Sequence, residues 1–239
     1  MKIIVIGDIH GRDVWKSIIE QEPQADHIIF IGDYLDSFDV GVNKQIKNFK
    51  EILYYKKNNF DKVTLLLGNH DYHYLPECIA RRETYSGFKN TISRKGSQLV
   101  LDSILNNEII GCKIIDDFLF SHAGITSTWC TNNYINTKSL ESDINQAIIN
   151  RRSIFGFAET SPLVPRFSNP YGDDKYQGPL WVRPKSLITD QLPGYTHIVG
   201  HTVHDSITKQ GGVYFIDCLD NSLEYLLIDS GNVTIKQIK

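Results

Sequence analysis

Short apolar runs alternate with amphipathic segments along the first third of the chain. The runs are IIVI (residues 3–6), HIIFI (27–31) and KVTLLL (62–67), and they are separated by DVWKSIIEQ and NKQIKNFKEILYYKK. This alternation predicts strand, helix, strand, helix and strand, joined by right-handed parallel crossovers. Because the Val, Ile and Leu runs are continuous, the strands should be buried on both faces, as in an α/β sheet.

The rest of the chain predicts further helices and strands. Residues 72–107 carry no strand signal, and SQLVLDSILNN near the end of that stretch is typical of a helix, as is the later SLESDINQAIINRR. Strands are expected around KIID and FLFSH, and then as a set of short strands in an antiparallel or mixed sheet, at THIVGH, GVYFID, LEYLLID and NVTIKQI. No internal repeat or linker divides the chain, so we predict one domain over residues 1–239.

A segment rich in proline and aromatic residues interrupts the pattern at about residues 153–185. Five of the eight prolines of the chain lie there, among six Phe, Tyr and Trp residues. Loops of this length inside a domain are uncommon and are usually functional. We therefore expect either a loop that faces the substrate or a proline-stiffened surface excursion whose aromatic side chains cover the core.

Length and composition are those of one soluble globular domain, of a size usual for an enzyme. It has 239 residues, 41% hydrophobic and 22% charged, with a net charge of -3, which excludes disordered, collagen-like and disulfide-stapled classes. The charge gives no global attraction for nucleic acid or for a membrane surface. Four widely separated cysteines predict free thiols, and the five-residue apolar stretch near Met1 is too short for a signal peptide or a membrane span. We therefore expect a cytoplasmic protein.

Five apolar runs end in a small residue that is followed by polar residues able to bind metal. The five segments are GDIHG (7–11), GDYLD (32–36), GNHD (68–71), SHAG (121–124) and GHT (200–202). An Asp or His after one strand is often only a turn residue or helix cap. Five such ends together predict a site, because α/β sheets bind ligands where their strands end.

The candidate ligands combine carboxylate, imidazole and amide groups without a thiolate. They are Asp8, His10, Asp33, Asn69, His122 and His201. Such donors suit manganese, iron or zinc in an open catalytic site, whereas structural zinc prefers a closed shell of four ligands. Six protein ligands fit two divalent ions if one carboxylate bridges them. The residual positive charge of the cluster favours an oxyanion such as phosphate.

The five motifs, in this order, resemble those of the calcineurin-like metallophosphoesterases. The resemblance covers about residues 1–202 and is strongest to the branch of phosphoprotein phosphatases, bacteriophage phosphatases and symmetrical dinucleoside tetraphosphatases. It implies a four-layer α/β sandwich, in which two mixed β-sheets are flanked by helices and the dinuclear metal site lies at the carboxyl ends of the strands. It also implies a place for each ligand: Asp8 and His10 on the first metal, Asp33 bridging, and Asn69, His122 and His201 on the second.

The resemblance further implies that Asp36 orients His70, the general acid. An imidazole held by a carboxylate has a fixed tautomer and a raised pKa, which suits it to protonate a leaving group. The protein phosphatases of the family carry a phosphate-binding Arg where this chain has Ser37. Trp181-Val182-Arg183 resembles the W-x-R of the bacteriophage phosphatases. Arg183 is therefore expected either to bind phosphate or to pair with a surface carboxylate.

These residues predict a phosphoester hydrolase that uses two divalent ions, with Mn²⁺ expected and Fe or Zn as alternatives. In this hypothesis a hydroxide that bridges the ions attacks phosphorus, and no covalent phosphoenzyme forms. The expected substrate is a phosphomonoester, including a phosphoprotein, and the alternative is a symmetrical dinucleoside polyphosphate. A third interpretation is a scaffold that binds partners without catalysis. No membrane partner is expected, and a nucleic-acid surface is not indicated.

Overall fold

The strands form two β-sheets in the computed structural model, which describes residues 1–157 and 173–238. The strands of the first sheet are β1 (Lys2–Ile6), β2 (His27–Phe30), β3 (Val63–Leu66), β4 (Ile109–Ile110), β10 (Glu224–Asp229) and β11 (Asn232–Gln237). Their order is β11-β10-β1-β2-β3-β4. The pairs β1–β2, β2–β3 and β3–β4 are parallel, whereas β10 runs antiparallel to both of its neighbours.

The second sheet is also mixed. Its strands are β5 (Cys112–Ile115), β6 (Phe118–Ser121), β7 (Thr196–Val199), β8 (Thr208–Gln210) and β9 (Val213–Phe215), in the order β5-β6-β7-β9-β8. The central strands β6, β7 and β9 are parallel, and both edge strands are antiparallel to their neighbours. Mixed sheets of this kind, each with a parallel centre, confirm the predicted α/β class.

Helices flank the two sheets. They are α1 (Trp15–Gln21), α2 (Val42–Asn58), α3 (Asn69–Tyr72), α4 (Pro76–Arg81), α5 (Asn90–Leu105), α6 (Ser127–Asn132), α7 (Leu140–Ile149) and α8 (Pro184–Asp190), with 3₁₀ turns at Thr137–Ser139 and Ser153–Phe155. The longest ones, α2, α5 and α7, lie where helical spacing predicts them. No helix in the described part of the chain is long and apolar enough to cross a membrane.

Strand β1 shows why the apolar runs are continuous. Ile3 and Val5 belong to the cluster between the sheets, together with Phe120 and Ile198 of the second sheet. Ile4 and Ile6, which point to the opposite face, belong to the cluster that packs against the helices. Since neighbouring side chains of a strand alternate between faces, a strand buried on both sides must be apolar at every position.

The last strands do not form one sheet, which corrects the expectation of a single C-terminal set. Strands β7, β8 and β9 belong to the second sheet, whereas β10 and β11 return to the first and place β10 against β1, with Lys2 opposite Asp229. Strand β10 therefore lies between two partners and is buried over most of its length. The hydrophobic periodicity of a strand indicates which of its side chains are buried, but it does not indicate which sheet the strand joins.

The predicted loop at 153–185 is only partly described. Its first residues form the 3₁₀ turn Ser153–Phe155, and Pro184 already begins α8 with proline at the first helical position. Residues 158–172 lie outside the described residues. All four cysteines are free and buried, as expected from their separation.

Strand β10 should stabilise the protein mainly through the side chains that it packs between the two sheets. Leu226 is fully buried there, and its partner in register on β11, Ile235, is 48% exposed. We predict that Leu226→Ala lowers the free energy of unfolding by about 2–5 kcal/mol, because it removes buried methyl groups and leaves a cavity. Urea denaturation is the measurement. Ile235→Ala is the control and should cost less than about 1 kcal/mol; equal losses would contradict the prediction.

Candidate metal centre

The loops after five strands bring the predicted ligands to one place between the sheets. Asp8 and His10 follow β1, Asp33 follows β2, Asn69 begins α3 just after β3, and His122 and His201 follow β6 and β7. Parallel strands end at the same edge of a sheet, so residues far apart in sequence meet there. All the predicted ligands are buried except His10, which is partly exposed.

The first group consists of Asp8, His10 and Asp33, whose donor atoms all lie within 4.8 Å of one another. The Nδ1 of His10 lies 2.8 Å from the carbonyl oxygen of Leu35 and donates to it. This fixes the ring orientation, and the other nitrogen, Nε2, which carries the lone pair in the neutral ring, lies 3.8 Å from Asp33 Oδ2. The backbone N–H of His201 donates to Asp8 Oδ2 at 2.9 Å, while Asp8 Oδ1 is buried and finds no hydrogen-bond partner among the described residues.

The second group consists of Asn69, His122 and His201. Asn69 Oδ1 lies 2.8 Å from His122 Nε2 and 2.9 Å from His201 Nδ1. The other ring nitrogen of His122, Nδ1, donates to the carbonyl of Ile31 at 3.0 Å, and burial lowers the pKa of this histidine, which favours the neutral ring. Two lone pairs, on His122 Nε2 and Asn69 Oδ1, therefore face each other at close range. Such an arrangement is repulsive unless a cation lies between them.

Asp33 connects the two groups. Its Oδ2 lies 3.4 Å from His122 Nε2 and 3.8 Å from His10 Nε2, and its Oδ1 accepts the backbone N–H of His70 at 2.9 Å. One carboxylate oxygen thus faces the donors of both groups. The nitrogen and oxygen donor set, the facing lone pairs and the unpartnered Asp8 Oδ1 fit two divalent cations that share Asp33.

The backbone around the site is strained. Four of the site residues have φ in the left-handed region: His10 at 42°, Asp33 at 50°, Asp36 at 66° and His201 at 65°. Non-glycine residues adopt this region at a cost of about 1–3 kcal/mol each, and they cluster at functional sites. The left-handed turns direct these carboxylate and imidazole side chains into the site, whereas an extended backbone would direct them elsewhere.

Two glycines let the carboxylates lie directly against backbone. An alanine Cβ at Gly68 would lie 2.1 Å from Asp33 Oδ1, and one at Gly200 would lie 1.9 Å from Asp8 Oδ1. Neither distance is compatible with a side chain. The glycine that begins each of these two motifs is therefore required by the close approach of the Asp33 and Asp8 carboxylates.

Asp217 is a buried acidic residue of the site that the sequence reasoning missed. It follows β9 in the run VYFI, and its side chain belongs to the carboxylate cluster: Asp217 and Asp33 both raise the pKa of Asp8, after burial, which has the largest effect. Burial in turn raises the pKa of Asp217 to about 6. The sequence signal was an apolar run that ends in Asp, like the other motifs, but without a preceding small residue.

Asp36 and His70 contact each other at the edge of the two groups of candidate ligands. His70 Nδ1 lies 3.1 Å from Asp36 Oδ2, with the Asp36 side chain fully buried and that of His70 19% exposed. Burial lowers the pKa of His70, but Asp33 and the hydrogen bond with Asp36 outweigh it and raise the pKa to about 9. Asp36 has two further contacts that the sequence reasoning did not assign, with His73 Nε2 at 2.5 Å and with the hydroxyl of Tyr74.

Arg183 lies beside the two groups of candidate ligands. Its Nη1 donates to the carbonyl of His201 at 3.3 Å and to Thr202 Oγ1 at 3.1 Å. Burial lowers the pKa of its guanidinium, and Asp217 and Asp33 oppose that effect, so the positive charge faces the carboxylate cluster.

Arg12 and Ser37 meet at another wall of the site. Both donate to Asp39 Oδ1, from Arg12 Nη2 at 2.8 Å and from Ser37 Oγ at 2.6 Å. They line a pocket of about 220 Å³ that also includes His10 and Asp36. A guanidinium thus lies next to Ser37, at the position for which the family resemblance implies a phosphate-binding arginine.

The chain matches the model of one known protein family. The family profile described as calcineurin-like phosphoesterase matches residues 1–205. The chain belongs to this family. The family uses a dinuclear divalent metal site, and the Asp8, His10 and Asp33 group described above is a candidate for part of it.

Curated relatives include two symmetrical bis(5'-nucleosyl)-tetraphosphatases, from Klebsiella pneumoniae (strain 342) and Glaesserella parasuis. Each is 27% identical over 135 residues, which is 54% of this chain and 45% and 47% of those proteins. The match therefore spans about half the length of these relatives.

Two solved structures share the fold. A serine/threonine phosphatase from Saccharomyces cerevisiae is 15% identical with a TM-score of 0.57, and the match covers 100% of this chain and 80% of that one. A metallophosphoesterase from Sphaerobacter thermophilus is 12% identical with a TM-score of 0.52, covering 100% and 89%. Identities this low show the fold alone.

Asp217 should destabilise the metal-free protein at neutral pH. A carboxyl whose pKa rises from its ordinary value of 3.8 to about 6 on folding makes the native state bind more protons than the unfolded state. Stability is then lost as pH rises from about 4 to 6 and stays lower above it. We predict that Asp217→Asn raises the free energy of unfolding of the metal-free protein at pH 8 by about 1–3 kcal/mol.

Denaturant unfolding at pH 4 and pH 8 in the presence of a chelator measures this effect. The advantage of Asp217→Asn should vanish at pH 4, where the wild-type carboxyl is protonated in the native state. The exposed Asp117→Asn is the matched control and should change little at either pH. A variant that is less stable than the wild type at pH 8 would show that Asp217 accepts hydrogen bonds that outweigh the repulsion.

Proposed function

We propose that the chain is a phosphoester hydrolase that uses two divalent metal ions and acts on phosphomonoesters, including phosphoproteins. The observation that carries the proposal is the position of Asp33 Oδ2, which faces His10 on one side and His122 on the other. Membership of the calcineurin-like phosphoesterase family supports it. We further propose that residues 1–239 form one domain and that the protein is cytoplasmic, a location that its four free thiols favour.

Asp8, His10 and Asp33 would hold the first ion, and Asp33, Asn69, His122 and His201 the second. We propose Mn²⁺ for both, although Fe and Zn bind the same donors and the supply of metal decides between them. When bound, such cations supply Lewis acidity, which withdraws charge from phosphoryl oxygens and lowers the pKa of water.

His70 protonates the departing oxygen of the ester. Asp36 accepts from its Nδ1, so Nε2 is the nitrogen available to the substrate, and the partly exposed ring lies 5.4 Å from the ring of His10. The pKa of about 9 keeps the ring protonated at neutral pH in the metal-free site, where burial is outweighed by Asp33 and Asp36. Cations bound nearby would lower this value toward neutrality, where a general acid is most effective.

Arg183 binds the phosphate in this proposal. Its guanidinium donates to the carbonyl of His201 and faces the carboxylate cluster. An arginine guanidinium can bind two phosphoryl oxygens at once, which would fix the ester for in-line attack.

The cysteines are not nucleophiles in this mechanism. All four are buried, and burial raises the pKa of Cys78 and Cys130 to about 12 and that of Cys218 to about 11. Thiols with such pKa values carry almost no thiolate at neutral pH. Hydrolysis without a covalent thiol intermediate is consistent with this.

A second candidate function is hydrolysis of symmetrical dinucleoside tetraphosphates, which the curated relatives favour. A competition decides between the candidates: metal-stripped protein is reloaded with Mn²⁺ and given a phosphoserine peptide and a symmetrical dinucleoside tetraphosphate together. Chromatography follows both substrates. Preferential loss of the peptide is expected from the main proposal, and preferential loss of the nucleotide would replace it with the second candidate.

His70→Asn should separate metal binding from proton transfer. We predict that the variant binds two metal ions with unchanged affinity and loses about 10²–10⁴-fold in kcat on an alkyl phosphate, whose leaving group needs a proton. On 4-nitrophenyl phosphate, whose leaving group departs as an anion, the loss should be much smaller. Metal content by mass spectrometry and kcat on both esters are the measurements.

His27→Asn is the control for a partly buried histidine outside the site, where the ring contacts Thr64. It should leave the ratio of the two kcat values unchanged. Loss of metal from His70→Asn, or equal losses on both esters, would remove His70 from the role of general acid.

A further inference from the structure

Residues 83–89, which connect α4 to α5, lie over the contact between Asp36 and His70. Gly87 is the nearest point of this connection and has a φ of +88°. An alanine Cβ built there would lie 3.1 Å from Asp36 Cβ and 3.2 Å from both Cε1 and Nδ1 of His70. A side chain at Gly87 would therefore crowd both members of the pair, at a position where only glycine avoids backbone strain.

Residues 83–89 also contact His73 and Tyr74, the two residues that contact Asp36. The backbone N–H of Tyr85 donates to His73 Nδ1 at 3.4 Å, and that of Lys89 donates to the Tyr74 hydroxyl at 3.0 Å. Phe88 stacks on the Tyr74 ring, with centroids 5.0 Å apart. His73 and Tyr74 in turn contact Asp36, so the connection is joined to the pair from two sides.

These contacts determine where Asp36 points. His73 Nδ1 accepts a hydrogen bond from Tyr85, and the other ring nitrogen, Nε2, makes a close contact with Asp36 Oδ2 at 2.5 Å, without the alignment of a hydrogen bond. The Tyr74 hydroxyl donates to the other oxygen, Oδ1. Because His73 contacts one oxygen of Asp36 and Tyr74 the other, the carboxylate is fixed in one orientation. In that orientation Oδ2 also faces His70 Nδ1.

The closeness of the ring to Gly87 completes the arrangement. The His70 side chain is 19% exposed and touches solvent on one side, so Asp36 alone would leave the ring free to tilt. The glycine at position 87 leaves room for the ring, whereas a Cβ there would lie 3.2 Å from its Cε1 and Nδ1 atoms. The ring thus lies between the Asp36 carboxylate and the space left by Gly87, and because its Nδ1 faces Asp36, Nε2 is the nitrogen left for the substrate.

We propose that residues 83–89 position His70 for proton transfer, with Gly87 leaving the space that the ring occupies and with His73 and Tyr74 fixing Asp36. This inference rests on the proposed function, in which His70 is the general acid. Gly87, His73 and Tyr74 are positioning residues, because they act on the reaction through His70 and Asp36.

Gly87→Ala tests the contact, and Gly231→Ala is its matched control. Gly231 has a similar φ of +83°, and no described atom would lie within 4 Å of a Cβ there. Both variants therefore strain the backbone alike, but only Gly87→Ala displaces the His70 ring. We expect Gly87→Ala to lose at least about tenfold more kcat on an alkyl phosphate than on 4-nitrophenyl phosphate. Gly231→Ala should leave the ratio unchanged.

Tyr74→Phe is the second variant, which removes the hydroxyl but keeps the buried ring. It should show the same selective loss on the alkyl phosphate, with two metal ions still bound. If both Gly87→Ala and Tyr74→Phe lower kcat equally on the two esters, or not at all, the proposal is wrong.

A measurement on the metal-free protein separates this inference from the proposed function. Long-range ¹H–¹⁵N spectra of the imidazole rings, with His70 assigned by comparison with His70→Asn, report the bond from its Nδ1 to Asp36. The His70 signals should shift in Gly87→Ala and Tyr74→Phe but not in Gly231→Ala. If the wild type hydrolyses no phosphate ester, the proposed function fails, and these spectra alone decide the positioning: unchanged His70 signals would overturn it.

Discussion

The burial of several carboxylates at one point is the constraint on which the rest of the structure depends. Asp8, Asp33 and Asp217 are all buried where the loops of the two sheets meet. Burial and mutual repulsion raise the pKa of Asp8 and of Asp217, and only Asp33, which three histidines surround, has a pKa below its ordinary value. Charges this close inside a protein require compensation, and divalent cations provide more of it than imidazole rings or backbone amides can.

Much of the local backbone follows from this constraint. A carboxylate that offers one oxygen to a cation needs a donor for the other, and the N–H groups of His201 and His70 supply it for Asp8 and Asp33. Those N–H groups reach the carboxylates only because glycine precedes each motif and because several site residues adopt left-handed φ. The strain is stored at the strand ends, and the apolar packing of β1, β2 and β3 against the second sheet maintains it.

The sequence allowed the α/β class and the meeting of the strand ends to be predicted, because both follow from local patterns. Continuous apolar runs specify strands buried on two faces, and parallel strands end together. The sheet that β10 joins depended on a partner more than 200 residues away, which periodicity does not encode. The contact of His73 with Asp36 was not predicted for a similar reason, since helical spacing places His73 near His70 but says nothing about Asp36 on another loop. Asp217 lacked the preceding small residue that marked the other motifs. The assigned ligand roles stay predictions.

The ligand set has a consequence for how the protein assembles. The six candidate ligands extend from residue 8 to residue 201 and come from the ends of strands in both sheets. The proposed ligands of the first ion all follow strands of the first sheet, but those of the second ion include His122 and His201 from the second sheet, so the second ion would bind only after both sheets have formed. Bound there, it would stabilise only the fully docked molecule. Supply of this ion would then govern how long each folded copy survives proteolysis, and would have little influence on how fast a new copy folds.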